Sequence, residues 1–304
     1  MRKVIYIICL LLSFNGYSQS DGDKLRKEGK LEKAIIAYKS DFIKNPTDSK
    51  NTYKLATTIA LTYSLNDSAF HYLKIALKDD TSLWCLSDND FISLTDDARW
   101  KEIENLQFSK YQSKEGTLKS PEYAKKLLGL IMKDQALDYQ IDMAKAHYMK
   151  NGSIPHWYYP ISKMKSEITV GNFETMERLF KEYGWPTYSV VGKLAADAPL
   201  LIINHHEKEE IRIKYLGKIK NACFEKEGSC MEYAKINDRI LVNTDQLQTY
   251  GMQFKYDENR KLIPFPIKDP EYVDQRRFEI GLEPIAVYLK RKIKYEWTIT
   301  QKKK

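Results

Sequence analysis

The sequence has few cysteines, and none of them lies in a metal-binding or catalytic pattern. Its 304 residues contain 4 cysteines, with no Cys-x-x-Cys pair and no histidine pair at a matching spacing, which argues against a zinc site. A nucleophile elbow, a phosphate-binding loop and a Cys-centred catalytic signature are also missing from the sequence. No motif therefore names a reaction, and we expect neither a metal nor a cofactor.

Long hydrophobic runs are absent after the first residues of the chain. Two basic residues, Arg2 and Lys3, precede a short apolar run over residues 4–14, and small residues follow it. This order is typical of a secretory signal peptide, which we predict over residues 1–19. The run is shorter than the roughly 20 residues of a membrane span, and a retained N-terminal anchor is the alternative interpretation. We expect an exported protein, periplasmic or secreted, with no membrane span.

Export raises the question of cystine pairing, because disulfides form in oxidising compartments. The mature chain would contain Cys85, Cys223 and Cys230. Cys223 and Cys230 flank a short loop that contains Gly228 and joins two predicted helices, so the two thiols can meet. The alternative is that all three cysteines are unpaired small hydrophobic residues, and the sequence leaves both interpretations open.

The net charge of +8 is concentrated at the C-terminus. Residues 290–304 contain seven Lys or Arg residues and one acidic residue, and the rest of the mature chain is neutral. The basic isoelectric point therefore reports a basic tail, predicted over residues 291–304, and argues against a nucleic-acid-binding face. This tail is either solvated or in contact with anionic lipid or polysaccharide.

The hydrophobic pattern of residues 20–107 predicts a short array of helical repeats with a closing cap. Ala34 and Tyr38 lie on one helix face, and about 35 residues later Ala69 and Leu73 repeat this small-then-large spacing. The period resembles that of tetratricopeptide repeats. Because stacked helix pairs present a surface for proteins or peptides, the resemblance implies a module that docks an envelope protein or peptide, or a structural brace.

A polar stretch over residues 108–119 predicts a linker to a second part, residues 120–290. Helical periodicity dominates this part and includes one long predicted helix over residues 195–223. An alternating pattern over residues 248–256, a polar turn and a return strand predict one β-hairpin. The expected fold class is mainly α, with a short tetratricopeptide-like N-terminal part and a helical C-terminal domain that carries one β-hairpin.

Short polar motifs run through the second part in a fixed order. They are Asp134-Gln135, Gly184-Trp185-Pro186, Val191-Gly192, His205, Asp238-Arg239, Tyr250-Gly251-Met252-Gln253 and Val273-Asp274-Gln275-Arg276-Arg277. In this order they resemble an uncharacterised bacterial domain-of-unknown-function family over about residues 120–290. The resemblance implies one domain and a set of candidate positions, and it implies no activity. Asn204 and Met252 depart from the family pattern, which has the longer amide Gln and the hydroxyl-bearing Thr at these places.

Helical spacing places three polar groups on apolar helix faces. Gln135 and His205 each follow apolar residues at four and seven positions, and Asp238 lies one turn from apolar neighbours. Burial of such a group without a partner costs about 1–3 kcal/mol, so we expect these groups to contact one another or a ligand. The candidate ligand-binding residues are Asp134, Gln135, His205, Asp238, Arg239, Tyr250, Gln253 and Arg277.

Three functions are compatible with these residues. The first is the binding of a small polar or peptidic ligand in a pocket. The second is a hydrolase or transferase in which Asp238 orients His205 as general acid or base, and Arg239 or Gln253 stabilises developing negative charge. The third is a pure protein-interaction module of the cell envelope, in which the polar groups form a structural network.

Overall fold

A computed structural model describes residues 20–62 and 66–302 of the chain, so the predicted signal peptide lies outside the described residues. Helices dominate, and the described ranges contain one two-stranded antiparallel sheet. The predicted mainly α class with a single β-hairpin is confirmed. The described chain divides into two compact units: a larger unit of residues 20–215 with the loop 225–229, and a smaller unit of residues 216–224 and 230–302.

The larger unit begins with helices that pack in chain order, each against the next. They are α1 (Asp21–Lys27), α2 (Leu31–Lys44), α3 (Ser49–Ala60) and α4 (Asn66–Ala76), followed by 3-10 turns at Trp84–Leu86 and Asn89–Leu94. Small residues such as Ala34, Ala56 and Ala69 are fully buried, which allows close approach of the helix backbones. The assignment of these helices to the tetratricopeptide class stays a prediction.

The stretch predicted as a linker, residues 108–119, is largely helical. It contains the end of α5 (Ala98–Glu115), and both Phe108 and Leu118 are buried. The backbone N–H of Ser120 then donates to the carbonyl of Val190 at 3.0 Å. The polar residues that suggested a linker occupy the outer face of α5, while the apolar residues between them hold this stretch in the larger unit.

Helix α6 is central to the second half of the larger unit. The helices of this half are α6 (Pro121–Asp134), α7 (Asp138–Asn151), α8 (Tyr158–Tyr183), α9 (Tyr188–Val191), α10 (Lys193–Ala196) and α11 (Ala198–His205). Helix α6 contacts α8, α9, α10 and α11, and Tyr123, Leu127 and Leu128 on it are buried. Because other helices surround α6, its last residue, Asp134, lies inside the fold.

The single helix predicted over residues 195–223 is divided into α10, α11 and α12 (Glu209–Phe224). Pro199 lies at the start of α11, where its missing N–H is tolerated, so the proline begins a new helix. At the other end His206 adopts an extended conformation, with ψ of 140°. This break makes His205 the last residue of α11.

The smaller unit contains the end of α12, the β-hairpin and three further helices. These elements are α13 (Cys230–Asn243), β1 (Phe254–Tyr256), β2 (Leu262–Pro264), a 3-10 turn at Pro270–Tyr272, α14 (Val273–Glu279) and α15 (Ile285–Ile293). Cys223 and Cys230 form a disulfide with Cα atoms 4.7 Å apart, and Cys85 is free and buried. The bridged alternative left open by the sequence is therefore the one found.

The basic C-terminal segment is bound to the smaller unit as far as residue 302. The side chain of Gln301 accepts the Asp274 N–H at 3.0 Å and donates to the Pro270 carbonyl at 3.0 Å. The Lys302 N–H donates to the Glu271 carbonyl at 2.7 Å. This segment is thus not simply a solvated tail. None of the helices formed by the described residues is long and apolar enough to cross a membrane.

Candidate functional site

Two helix ends of the larger unit bring an aspartate and a histidine together. Asp134 is the last residue of α6, and His205 is the last residue of α11, which packs against α6. The Nδ1 atom of His205 lies 2.8 Å from Oδ2 of Asp134. The Asp134 side chain is fully buried, whereas 18% of the His205 side chain is exposed. The result is a buried carboxylate that holds a partly accessible imidazole.

This hydrogen bond selects the form of the imidazole ring. A carboxylate accepts hydrogen bonds only, so Nδ1 of His205 carries the proton and donates to Asp134. The neutral ring then presents Nε2 as an acceptor. In the part of the chain that the structure describes, Nε2 has no hydrogen-bond partner, and Oδ1 of Asp134 is buried without one. Both atoms therefore retain hydrogen-bonding capacity.

Lys165 of α8 fixes the turn that follows α6. Its Nζ atom donates to the carbonyl oxygens of Asp134 and Ala136, the latter at 3.2 Å, and to Oδ1 of Asp138 at 2.8 Å. Within this turn Leu137 has a φ of 71°, a left-handed conformation that is unusual for a bulky residue. A cation is also favourable beside the carbonyl end of a helix. Lys165 thus stabilises a strained turn next to the Asp134 side chain.

Asp138 places a second carboxyl beside the Asp134–His205 pair. Burial raises the pKa of Asp138 above its ordinary value, the Lys165 ammonium opposes this shift, and the negative charge of Asp134 adds to it. Gln135 follows α6 in the same turn and is half-buried. The site therefore combines one imidazole, two carboxylates, one ammonium and one amide.

Arg212 fixes the other side of the site by capping the end of α11. Its guanidinium is buried and donates to the carbonyl oxygens of Asn204, at 3.1 Å, and His206. It also makes two parallel hydrogen bonds of 2.9 Å to the Glu209 carboxylate. Burial lowers the pKa of the adjacent His206, and the positive charge of Arg212 lowers it further. The backbone on both sides of His205 is consequently fixed.

Asp238, which the sequence suggested as the partner of His205, has a different role in the smaller unit. Its carboxylate accepts the backbone N–H groups of Thr249 at 2.8 Å, Tyr250 at 3.0 Å and Met252 at 3.0 Å. Burial raises the pKa of Asp238, and these N–H groups partly offset the shift. The predicted pairing of Asp238 with His205 is therefore wrong: the carboxylate bonded to His205 is that of Asp134, and both oxygens of Asp238 accept N–H groups of the loop before β1.

The same loop is held from its other side by Arg277 and Gln253. Arg277 is fully buried, donates to the carbonyls of Tyr250 at 2.5 Å and Glu283 at 2.7 Å, and has an Nη2 atom with no partner among the described residues. The side-chain amide of Gln253 donates to the Lys235 carbonyl at 2.9 Å. These candidates therefore form a hydrogen-bonded network within the smaller unit.

Gly251 is required where this loop approaches the helix α15. Its φ is 76°, and a Cβ atom at this position would lie 2.5 Å from the side chain of Ile285. Arg239 follows Asp238 on α13 and is half-buried. The Tyr-Gly-x-Gln and Asp-Arg motifs thus lie around one tightly folded loop of the smaller unit. The Asp-Gln motif and the helical histidine lie in the larger unit, where they form the site at the end of α6.

The Gly-Trp-Pro motif ends a helix and fills an aromatic cluster. Gly184, with a φ of 81°, terminates α8. The Trp185 ring lies 5.0 Å from the Phe180 ring and 5.9 Å from the Tyr215 ring, measured between centroids. The Trp185 side chain is half-buried in this cluster, so its role is packing. Across residues 20–62 and 66–302, no group of three or more His, Cys, Asp or Glu side chains is placed to hold a metal ion.

Comparison with known proteins gives a family and no relative of known function. A profile described as a family of unknown function, DUF6624, matches residues 121–298. The match begins at α6, and all eight candidate ligand-binding residues lie within it. The resemblance to an uncharacterised domain family is confirmed. No curated protein and no solved structure matches the chain.

Proposed function

Because the chain belongs to the DUF6624 family of unknown function, we propose a function from the geometry of its own side chains. The site at the end of α6 binds a small polar ligand, and His205 acts on this ligand as a general base through Nε2. The observation that carries the proposal is the 2.8 Å hydrogen bond between Asp134 and Nδ1, which leaves Nε2 without a partner in the described chain. Hydrolases that activate a hydroxyl group or water with histidine use this arrangement.

The chemistry follows from the charges around the imidazole. Nε2 of His205 accepts a proton from water or from the hydroxyl group of a second molecule, the oxygen forms a bond to an electrophilic carbon of the ligand, and the bond from that carbon to the leaving group breaks. The buried carboxylate of Asp134 stabilises the imidazolium that forms and does not itself take up the proton. The proton then returns from Nε2 to the leaving group. Hydrolysis and transfer to a hydroxyl group are the reaction classes that this sequence of proton transfers serves.

The acceptors at the site favour a ligand that donates hydrogen bonds. Oδ1 of Asp134 has no partner among the described residues, and Asp138 contributes a further carboxylate. Lys165 is occupied by three oxygen acceptors, so it offers little to an anion. A neutral or cationic ligand with hydroxyl or amino groups, such as a polyol or a short peptide, matches this set.

The test is a pair of histidine variants in a ligand screen. Small polar compounds are screened for an increase in the melting temperature of the purified protein, and each hit is tested for turnover by mass spectrometry. We expect His205→Ala to abolish both the ligand-induced increase and the turnover, because Nε2 of His205 is the atom that acts on the ligand. His156→Ala is the matched control, since His156 is an exposed histidine of the same unit.

The opposite result separates a structural histidine from a functional one. His205→Ala leaves the buried carboxylate of Asp134 without a partner in either case, so ligand binding, and not stability alone, separates the two roles. The free protein then loses about 1–3 kcal/mol of stability. Such a loss, with ligand binding retained or with no ligand found for the parent protein, contradicts the proposal.

A second function, docking of an envelope protein or peptide, is favoured by exposed isoleucines on α2. Ile36 is 68% exposed and Ile43 is 76% exposed, and their spacing of seven residues places them on one helix face. The tetratricopeptide-like pattern of residues 20–107 supports the same role. We propose that the chain is exported, which the signal-like residues 1–19 and the Cys223–Cys230 disulfide support.

A further inference from the structure

The smaller unit contains a surface groove of about 610 Å³ that none of the site residues lines. The β-hairpin contributes Tyr256 and Leu262, and the segment after α15 contributes Tyr295. The Tyr256 side chain is 57% exposed. Two tyrosines beside aliphatic side chains provide apolar contact area together with hydroxyl groups, a combination that is common at binding surfaces.

In the described part of the chain, the groove has three basic side chains without partners, whereas its two acidic side chains already have partners. Arg260, Lys261 and Lys294 line the groove, and in residues 20–62 and 66–302 none of their side chains has an ion-pair or hydrogen-bond partner. The two acidic residues of the lining are already engaged: Asp257 accepts two backbone N–H groups of its own turn, and Glu296 pairs with a lysine at 3.1 Å. The groove is therefore complementary to an anionic ligand.

One edge of β2 is also unpaired. The Asp257 N–H donates to the Lys261 carbonyl at 2.9 Å, and the Phe265 N–H donates to the Gln253 carbonyl at 3.0 Å. Hydrogen-bonded positions alternate along an antiparallel ladder, so the N–H and C=O of Leu262 and the C=O of Pro264 point away from β1. The outward N–H of β2 is that of Leu262, because Pro264 has none. No other described strand joins this sheet. An unpaired strand edge is a template for a further extended chain.

We propose that this groove binds an acidic peptide in an extended conformation, which adds as a third strand beside β2. The backbone of the peptide pairs with Leu262, and its carboxylates meet Arg260, Lys261 and Lys294. Side chains of an extended peptide alternate between two faces, so acidic and apolar residues in alternation satisfy both the cations and the tyrosines. This surface is separate from the proposed reaction of His205 and does not depend on it.

The test uses a fluorescein-labelled octapeptide of alternating Glu and Val, measured by fluorescence anisotropy with the purified protein. We expect saturable binding that Arg260→Gln, Lys261→Gln and Lys294→Gln together weaken by about tenfold or more, since three charge contacts are removed. The control combines Lys218→Gln, Lys220→Gln and Lys268→Gln, which remove the same charge from the same unit. Binding by this control should stay within about twofold of the parent, because none of these lysines lines the groove.

A second variant tests the strand pairing. Leu262→Pro removes the outward N–H of β2 and no hydrogen bond to β1, so it should abolish peptide binding while circular dichroism and melting temperature stay unchanged. Equal loss in the two triple variants, or full binding by a folded Leu262→Pro protein, overturns the proposal. Binding of heparin or phosphatidylglycerol vesicles without binding of the peptide also overturns it, because the groove would then serve another class of anion.

Discussion

Two buried aspartates of this chain differ in how their carboxylates are satisfied. Asp238 accepts three backbone N–H groups, so both of its oxygens are paired. Asp134 accepts one bond from His205, and its Oδ1 atom has no partner among the described residues. An unpaired buried oxygen costs about 1–3 kcal/mol. Asp238 therefore stabilises the fold, whereas the burial of Oδ1 of Asp134 lowers the stability of the folded protein. Such a loss of stability is common at residues that bind a ligand.

The sequence identified the helices that carry the site but not the pairing of its side chains. Helical spacing predicted that Gln135 faces inward. Asp134 follows Leu127 and Ile131 at seven and three positions, so the same rule predicts an inward-facing side chain for Asp134 as well. Asp134 and His205 are far apart in the chain, so only the packing of α6 on α11 reveals the pair. Helical periodicity predicts which face of a helix is buried, but it does not predict which residue of another helix contacts that face.

Lys165 and Arg212 were missed because lysine and arginine in a helix usually indicate a solvated face. In the structure Lys165 is bonded to carbonyl oxygens of the turn after α6, and Arg212 to those at the end of α11. The one sequence signal for Lys165 is its spacing of seven residues from Asn172, which is buried on α8, whereas Lys165 itself is half-buried. Both side chains donate hydrogen bonds to carbonyl oxygens at helix ends. Such donors can be predicted only when the positions of the helix ends are known.

Asp88, which caps the start of the 3-10 turn Asn89–Leu94, makes the stability of the protein depend on pH. Burial, and the neighbouring negative charge of Asp90, raise the pKa of Asp88 to about 6. Its carboxyl also accepts the Tyr53 hydroxyl at 2.8 Å. Because the folded state then holds this proton more tightly than the unfolded state, the contribution to stability is full below the unfolded pKa and is lost as pH rises towards about 6.

We predict that Asp88→Asn removes this part of the pH dependence. The free energy of unfolding of the parent protein, measured with urea at intervals from about pH 4 to 7, should fall relative to that of the variant, because only the parent must ionise a buried carboxyl. Glu32→Gln is the control, since Glu32 is an exposed carboxylate of the same unit. A constant difference between Asp88→Asn and the parent across this range would contradict the assignment.

At the scale of elements, the disulfide joins the end of α12 to the start of α13 across the loop 225–229. Cys223 and Cys230 are seven residues apart, and Cys223 is buried. Within the larger unit, Glu227 of this loop accepts the backbone N–H groups of Tyr188 at 3.1 Å and Ser189 at 2.8 Å. A covalent link across so short a loop restricts the unfolded chain as well as the native turn.

We predict that reduction of this disulfide lowers the free energy of unfolding by about 2–3 kcal/mol, the loss of unfolded-state constraint for a loop of this length. Urea unfolding with and without reductant measures the difference, and the double variant Cys223→Ala with Cys230→Ala should show no effect of reductant. Mass spectrometry of the unreduced protein should find one bridge, with Cys85 alkylated only after unfolding because it is buried. Two alkylatable thiols at 223 and 230 would exclude the bridge.

Local signals account for most of the elements that were predicted correctly. The alternating pattern near residue 254 and the polar turn after it gave the hairpin, whose register pairs Phe254 with Pro264 and Tyr256 with Leu262. The break between α11 and α12 at His206 has no glycine or proline, so helical periodicity continued across it. The His206 carbonyl is held by Arg212, six residues later in α12, and this contact forms only once the helix is broken, so the helical spacing of the residues does not reveal it.

At the scale of the whole molecule, the family boundary and the structural boundaries differ. The family match begins at residue 121, whereas the larger unit includes described residues from residue 20 to residue 215. Helix α6 contacts both 3-10 turns of the N-terminal part, and the Tyr139 hydroxyl donates to the Arg26 carbonyl at 3.0 Å. The helices before residue 121 therefore cover the helix that carries Asp134.

This contact leads to a prediction about the N-terminal part. A protein that begins at residue 117 would expose the face of α6 that the 3-10 turns cover, and exposed apolar surface lowers stability in proportion to its area. We expect this shortened protein to melt at a lower temperature than one that begins at residue 20, and to bind the dye 8-anilinonaphthalene-1-sulfonate, which reports loosened packing.

The alternative is that the N-terminal helices and the part that begins at α6 fold independently, and it predicts the opposite result. If residues 108–119 connect two separate folds, the shortened protein unfolds cooperatively at the temperature of the longer one and binds no dye. Ala substitution of the exposed Ile36 and Ile43 in the longer protein is the control, because it removes apolar surface from the N-terminal part without uncovering α6. A lower melting temperature confined to the shortened protein would show that the N-terminal helices belong to the structure that positions Asp134 and His205.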